Sequence, residues 1–199
     1  MSIRNRPEIY HEQALFAAID VKGVKKGVKV LEGPVPEWKV FGKRGSGNGD
    51  AGATYGLPRF TSAKFTTTFP FAAVDLQDND IPLKVKVIGW SPFIPTDEDN
   101  SSLPVGCLEY SFENSSKQTI NAVFSFNSKN FLATDQEAKN NIDPISNGFI
   151  LTQKGTKEKP YLKSDFAIFT DDDHTKVDYC WFRGGWLDPI TITWNNIEK

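Results

Sequence analysis

Four stretches follow one another within residues 64–127: Lys64-Phe65-Thr66-Thr67-Thr68-Phe69-Pro70-Phe71, Leu83-Lys84-Val85-Lys86-Val87, Cys107-Leu108-Glu109-Tyr110-Ser111-Phe112 and Ile120-Asn121-Ala122-Val123-Phe124-Ser125-Phe126-Asn127. Successive side chains of an extended chain point to opposite faces, so Phe65, Thr67, Phe69 and Phe71 share one face while Lys64, Thr66 and Thr68 share the other. Leu83, Val85 and Val87 repeat the pattern against Lys84 and Lys86, and Leu108, Tyr110 and Phe112 repeat it against Cys107, Glu109 and Ser111. A helix would scatter these residues around its circumference, whereas strands lay them on one core. The spacing therefore predicts consecutive strands, with the rings of the first facing inward. Asp78-Asn79-Asp80 supplies a turn before Leu83, and Asn114-Ser115-Ser116-Lys117-Gln118 is a connection of hairpin length before Ile120. One polar face per strand predicts antiparallel sheets with a solvated side.

Toward the N-terminus, Leu15, Ala17, Ile19 and Val21 alternate as a further strand, and residues 27–31 form a small one after a lysine-rich, solvated connection. Trp38, Val40 and Phe41 read as a brief strand behind Pro34 and Pro36. The glycine-rich stretch 42–56 lacks the Walker order of Gly-Lys-Ser/Thr and no helix-forming run follows it, so it reads as a surface or interface loop. Toward the C-terminus, residues 131–141 suit a short helix or an irregular turn. Residues 149–153 and 161–169 read as strands, Asp171-Asp172-Asp173 as an acidic turn, 176–182 as another strand, and Ile190, Ile192 and Trp194 as a last alternation. The fold class expected is all-β, an antiparallel β-sandwich, with residues 1–199 forming one domain or a fragment of a larger sandwich.

A chain of 199 residues can enclose one sizeable core, and its 39% hydrophobic and 13% aromatic content argues against wholesale disorder. The 23 basic and 25 acidic residues create no field that would concentrate nucleic acid or an anionic membrane. No run approaches the roughly 18 apolar residues of a membrane span, and no apolar signal-peptide core follows the charged start. The compartment stays open. Cys107 and Cys180 are expected as free, largely buried thiols in preference to a cross-link.

Nothing in the sequence assembles a catalytic centre. His11 and His174 stand alone, without metal-ligand spacing. The acidic clusters around Asp78, Asp97 and Asp171 offer hard oxygen ligands, but none has the twelve-residue calcium-loop pattern, and ordinary turns explain them. Glycosidase chemistry needs two carboxyl groups held about 5 to 9 Å apart, and a sequence rich in turn aspartates always contains candidate pairs. No nucleophile elbow occurs and neither cysteine has a histidine beside it. No catalytic residue, metal ligand or cofactor site is therefore assigned. Trp38, Trp90, Trp181, Trp186 and Trp194 suit either core packing or a sugar-stacking platform. In Trp181-Phe182-Arg183-Gly184-Gly185-Trp186 the glycines permit close backbone approach and Arg183 adds a rigid hydrogen-bonding fork.

Pro70-Phe71-Ala72, Pro82-Leu83-Lys84-Val85, Trp90-Ser91-Pro92-Phe93-Ile94-Pro95, Leu103-Pro104-Val105, Phe124-Ser125-Phe126-Asn127 and Phe182-Arg183-Gly184-Gly185-Trp186-Leu187-Asp188 occur in that order. Taken together they resemble glycoside hydrolase family 116, the family of bile acid β-glucosidase, or non-lysosomal glucosylceramidase. The resemblance implies an N-terminal β-sandwich domain packed on a catalytic (α/α)6 barrel that carries the nucleophile and the acid/base. It implies a retaining β-glucosidase as the parent and an inactive chain when that barrel is absent. The partner implied is the catalytic (α/α)6 domain; apart from the resemblance, the residues also suit a free-standing carbohydrate-binding module or a structural, protein-binding β-sandwich. Trp90, Phe93, Arg183, Trp186 and Trp194 are the residues expected to face the other domain or a sugar. The prolines at 92, 95 and 104 restrict the backbone of residues 91–105 and lower the cost of ordering that long connection.

Overall fold

A computed structural model describes residues 15–35, 56–179 and 189–198. These residues form ten strands in three antiparallel sheets. The central sheet has the order β2-β1-β7, built from β1 (Leu15–Val21), β2 (Val28–Val30) and β7 (Ala122–Ser128). A four-stranded meander follows the order of the chain: β3 (Ser62–Thr68), β4 (Phe71–Gln77), β5 (Leu83–Trp90) and β6 (Cys107–Asn114). A small sheet of β8 (Asn140–Ile145), β9 (Gly148–Gln153) and β10 (Ser164–Phe169) completes the set. The described residues also hold two α-helices, α1 (Glu98–Ser101) between β5 and β6 and α2 (Pro189–Ile197) after β10.

The central sheet and the meander pack face to face, as the alternation predicts. Ala17, Ile19 and Val21 from β1, with Leu31 just beyond β2, meet Leu76, Leu83 and Val85 of the meander and Phe60 and Ile81 beside it. Burying each such large aliphatic side chain is worth about 1.5–3 kcal/mol, so this layer dominates the stability of the fold. Lys84 and Lys86 point the other way into solvent, where they meet Glu113 and Asp75 across the strands at 3.0 and 3.5 Å. Such exposed pairs contribute little. The opposite face of β1 is also buried: Phe16, Ala18 and Val30 pack against Trp194 of α2. The central sheet is thus covered on both sides, which explains why β1 is apolar along nearly its whole length.

Two polar fasteners join these layers. Lys29 of β2 is buried and its Nζ donates to the Asp78 carboxylate at 2.7 Å, in the turn between β4 and β5. Arg59 pairs with Glu32 at 2.5 Å beside the point where Gly33 packs on Ala63 with no room for a Cβ. In the small sheet, buried Gln153 serves as the knot. Its side-chain oxygen accepts from the Thr134 and Asp135 backbone N–H groups at 2.9 and 3.2 Å, and its nitrogen donates to the Leu162 carbonyl at 3.2 Å.

Several expectations are corrected. The run from Lys64 to Phe71 is not one strand: a turn at the cis Phe69–Pro70 peptide divides it, and Thr68 pairs with Phe71 in a hairpin. Proline has no N–H for the ladder, so β3 ends before it. Its rings do not all face inward either, because Phe65 and Phe69 are 65% and 74% exposed. The connection after Asn114 makes no hairpin; β7 leaves the meander and pairs with β1 along its full length. Residues 131–139 hold no helix and lead into β8, which carries Pro144 at a sheet edge where a missing donor is tolerated. Tyr161 sits in a 3-10 turn (Pro160–Leu162) ahead of β10, and residues 176–178 form no strand.

The final alternation is also overturned, since residues 189–197 are α-helical. Pro189 opens the helix at a position where its lost donor costs nothing. Thr193, Trp194 and Ile197 then fall on one side, and burial of that side outweighs the strand preference of the β-branched residues. Cys107 is exposed, not buried. The brief strand at 38–41, most of the glycine-rich stretch and Cys180 lie outside the described residues.

Candidate functional site

Register shows how one end of the meander becomes a surface. Ala63, Leu76, Val85 and Phe112 lie side by side in one row, Phe65, Val74, Val87 and Tyr110 in the next, and Thr67, Ala72, Gly89 and Leu108 in a third. All three rows share a face. The central sheet buries the middle of the first row and half-buries the middle of the second, so Leu76 and Val85 are buried while Phe65 and Leu108 are exposed. On the other face the row Thr68, Phe71, Trp90 and Cys107 is the last before the loop formed by residues 91–105.

Exposed rings converge at that end. Phe69 at the β3–β4 turn meets Phe93 of the loop edge-to-face, with centroids 4.7 Å apart. Phe71 and Trp90 are cross-strand neighbours with centroids 6.3 Å apart. Ile94, Leu103 and Val105 extend the apolar surface along the loop and are exposed. The rings therefore pack on one another but leave about half of their surface in water.

Internal bonds hold the loop in shape. The Ser101 hydroxyl bridges its two limbs, accepting from the Ile94 N–H at 2.9 Å and donating to the Ile94 carbonyl at 3.0 Å. Asp97 caps α1 by accepting from the Asn100 backbone and side-chain nitrogens at 3.0 and 2.6 Å, and these bonds hold its carboxyl below the usual range. Thr96 takes the left-handed conformation at φ 68°, which a β-branched residue seldom adopts. Glu98, Asp99 and Glu109 are exposed charges of the segments that carry these rings, and residues 65–74 and 87–110 contain no lysine or arginine.

Of the residues singled out from the sequence, Trp90 and Phe93 are brought together at this end, 38% and 49% exposed. Trp194 is elsewhere and only 8% exposed, its ring inside the second core cluster and its Nε1 donating to Glu198 at 2.7 Å. That burial leaves it no free face for a sugar. Arg183 and Trp186 lie outside the described residues. Alternation expects Phe69 and Phe71 in the core, yet both are exposed at this end. Pro70 between them was the signal that the strand turns there.

Acid–base machinery does not emerge at this end or at the other acidic clusters. Among the described residues no three histidine, cysteine or carboxylate groups are placed to hold a metal. Asp78 is committed to Lys29: burial alone would raise its pKa, but hydrogen bonds from Lys29 and the backbone N–H groups of Asp80 and Thr61, with the Lys29 charge, hold it low. A depression of about 340 Å³ is lined by Lys139, Asn140, Asn141, Asp143, Thr152 and Lys154. It contains one carboxyl group, and the double displacement of a glycosidase needs two.

Residues 5–199 match the family model described as beta-glucosidase 2, glycosyl-hydrolase family 116, N-terminal. A comparison with curated proteins found no match.

Proposed function

The chain belongs to glycosyl-hydrolase family 116, of which it is an N-terminal domain, and from that premise we propose that it is a noncatalytic β-sandwich module supporting a separate catalytic (α/α)6 barrel. The parent enzyme is then a retaining β-glucosidase, and the resemblance to non-lysosomal glucosylceramidase makes lipid-linked glucosides natural substrates to try. Bond-breaking groups belong to the barrel, while this chain offers a folded face for it to rest on.

The observation that carries this reading is the apolar end of the meander, where the rings of Phe69, Phe71, Trp90 and Phe93 stand exposed on a well-packed scaffold. Exposed apolar side chains gathered at one end of a sheet support an interaction site there. Residues 1–199 assayed alone on aryl β-glucosides are expected to give no turnover. Turnover linear in protein and abolished by replacing a carboxylate of this chain would refute the reading.

A second reading, a free-standing carbohydrate-binding module, draws on the exposed Trp90 beside Phe71. Calorimetric titration with soluble glucans separates the two. Saturable binding lost in Trp90→Ala would favour the sugar.

A further inference from the structure

The geometry points to a specific kind of partner for the end of the meander: a protein surface with an apolar centre and a rim of lysine or arginine, carried by the catalytic part of the same enzyme. This rests on the module reading and adds the chemistry of the contact to it.

Size comes first. At roughly 200 Å² per aromatic side chain, the exposed fractions of Phe69, Phe71, Trp90 and Phe93 amount to about 400 Å². Leu103 and Val105, both about half exposed, bring the patch toward the roughly 800 Å² that one partner contributes to a standard interface. Charge comes second. The whole chain is nearly neutral, with 23 basic and 25 acidic residues, yet residues 65–74 and 87–110 hold Asp97, Glu98, Asp99 and Glu109 without one basic side chain. The nearest basic side chains on that face of the meander, Lys64 and Lys86, stand two rows away beside Asp75, so the acidic groups lie on the loop side of the apolar centre and complement a partner with basic groups there.

The same two observations argue against other occupants. A second copy meeting this face through a two-fold axis would bring two acidic patches into one interface with no basic group of residues 87–110 to offset them. An anionic membrane or nucleic acid is repelled. A sugar requires a flat ring face and free hydrogen-bonding groups, but Phe93 meets Phe69 edge-on at 73° and the Ser101 hydroxyl is spent on Ile94. The bonds that spend those polar groups also fix the loop before binding, which lowers the cost of association.

Hydroxyl-radical footprinting of the intact parent enzyme beside residues 1–199 alone tests the inference. Phe69, Trp90 and Phe93 are expected to be labelled in the isolated chain and protected several-fold in the intact enzyme. Raising salt from about 0.01 to 1 M, which shortens the screening length from roughly 30 to 3 Å, should return labelling toward the isolated level. Glu98→Lys combined with Asp99→Lys should raise labelling at low salt and flatten the salt dependence. These side chains are exposed, so the variant should fold, and unchanged protection of Trp194 checks that it does. Equal labelling of the three rings in both proteins, or protection indifferent to the charge substitutions, overturns the inference. If other parts of residues 1–199 become protected instead, the inference fails and the module reading stands; if no part does, both fail. Protection of the isolated chain that grows with its own concentration, or on addition of glucan, overturns it in favour of a second copy or a sugar.

Discussion

The two ends of the meander make an informative pair, because the same four strands present the same alternating face at both. At the end holding Leu76, Leu83 and Val85, that face lies under β1 and beyond it Lys29 reaches Asp78. At the other end Phe65 and Leu108 continue the face into solvent, and the strands finish in exposed rings. Strand alternation thus says which side chains share a face and nothing about how far along it a covering layer extends. Apolar side chains are buried at one end and left in solvent at the other.

The difference should be largest at the ionic fastener of the covered end. Lys29→Met strands a buried carboxylate, and urea titration should show a loss of about 3–5 kcal/mol, much of it restored when Asp78 is also made apolar. Leu76→Ala is expected to cost about 2–5 kcal/mol by the same measurement. Phe65→Ala, two positions from Leu76's cross-strand partner Ala63, should stay within about 0.5 kcal/mol. A large loss for Phe65→Ala would show that something covers the bare end after all.

Two pH measurements sharpen the same contrast. The Asp78 carboxyl is held below its ordinary value of 3.8 in the fold, so its contribution is complete above that pH and is lost as pH falls through the lower folded value. Lys29→Met should flatten this acid limb. Tyr110, at the boundary between covered and bare rows, is raised to about 12 by burial and then by the Glu32 charge. Its contribution is complete below the ordinary value of 10.0 and is lost as pH rises toward about 12, which phenolate absorbance should follow directly. The solvated face should respond just as weakly: Lys84→Ala should cost no more than about 0.5 kcal/mol.

Much of the candidate surface was visible before the structure. Trp90, Phe93 and the prolines of the loop stand out in the sequence, and the structure exposes both rings at the same end of the meander. Phe69 and Phe71 were hidden by a period of two that ran straight through Pro70. Trp194 was misplaced for a related reason: Ile190, Ile192 and Trp194 alternate, but Thr193, Trp194 and Ile197 also satisfy a helical spacing, and short segments fit both patterns.

Side-chain order along the chain was enough to predict antiparallel strands with one apolar face across the meander, since that pattern follows from covalent geometry; that β1 is buried on both faces was not read from it. It also sufficed to show that no familiar catalytic spacing is present. Partnership between distant segments required the tertiary structure: β7 joins β1 and not β6, α2 covers the second face of the central sheet, and the meander is roofed over only part of its length. Pairing across more than a hundred residues is selected by which faces can be buried together, and that competition is decided by the whole chain at once.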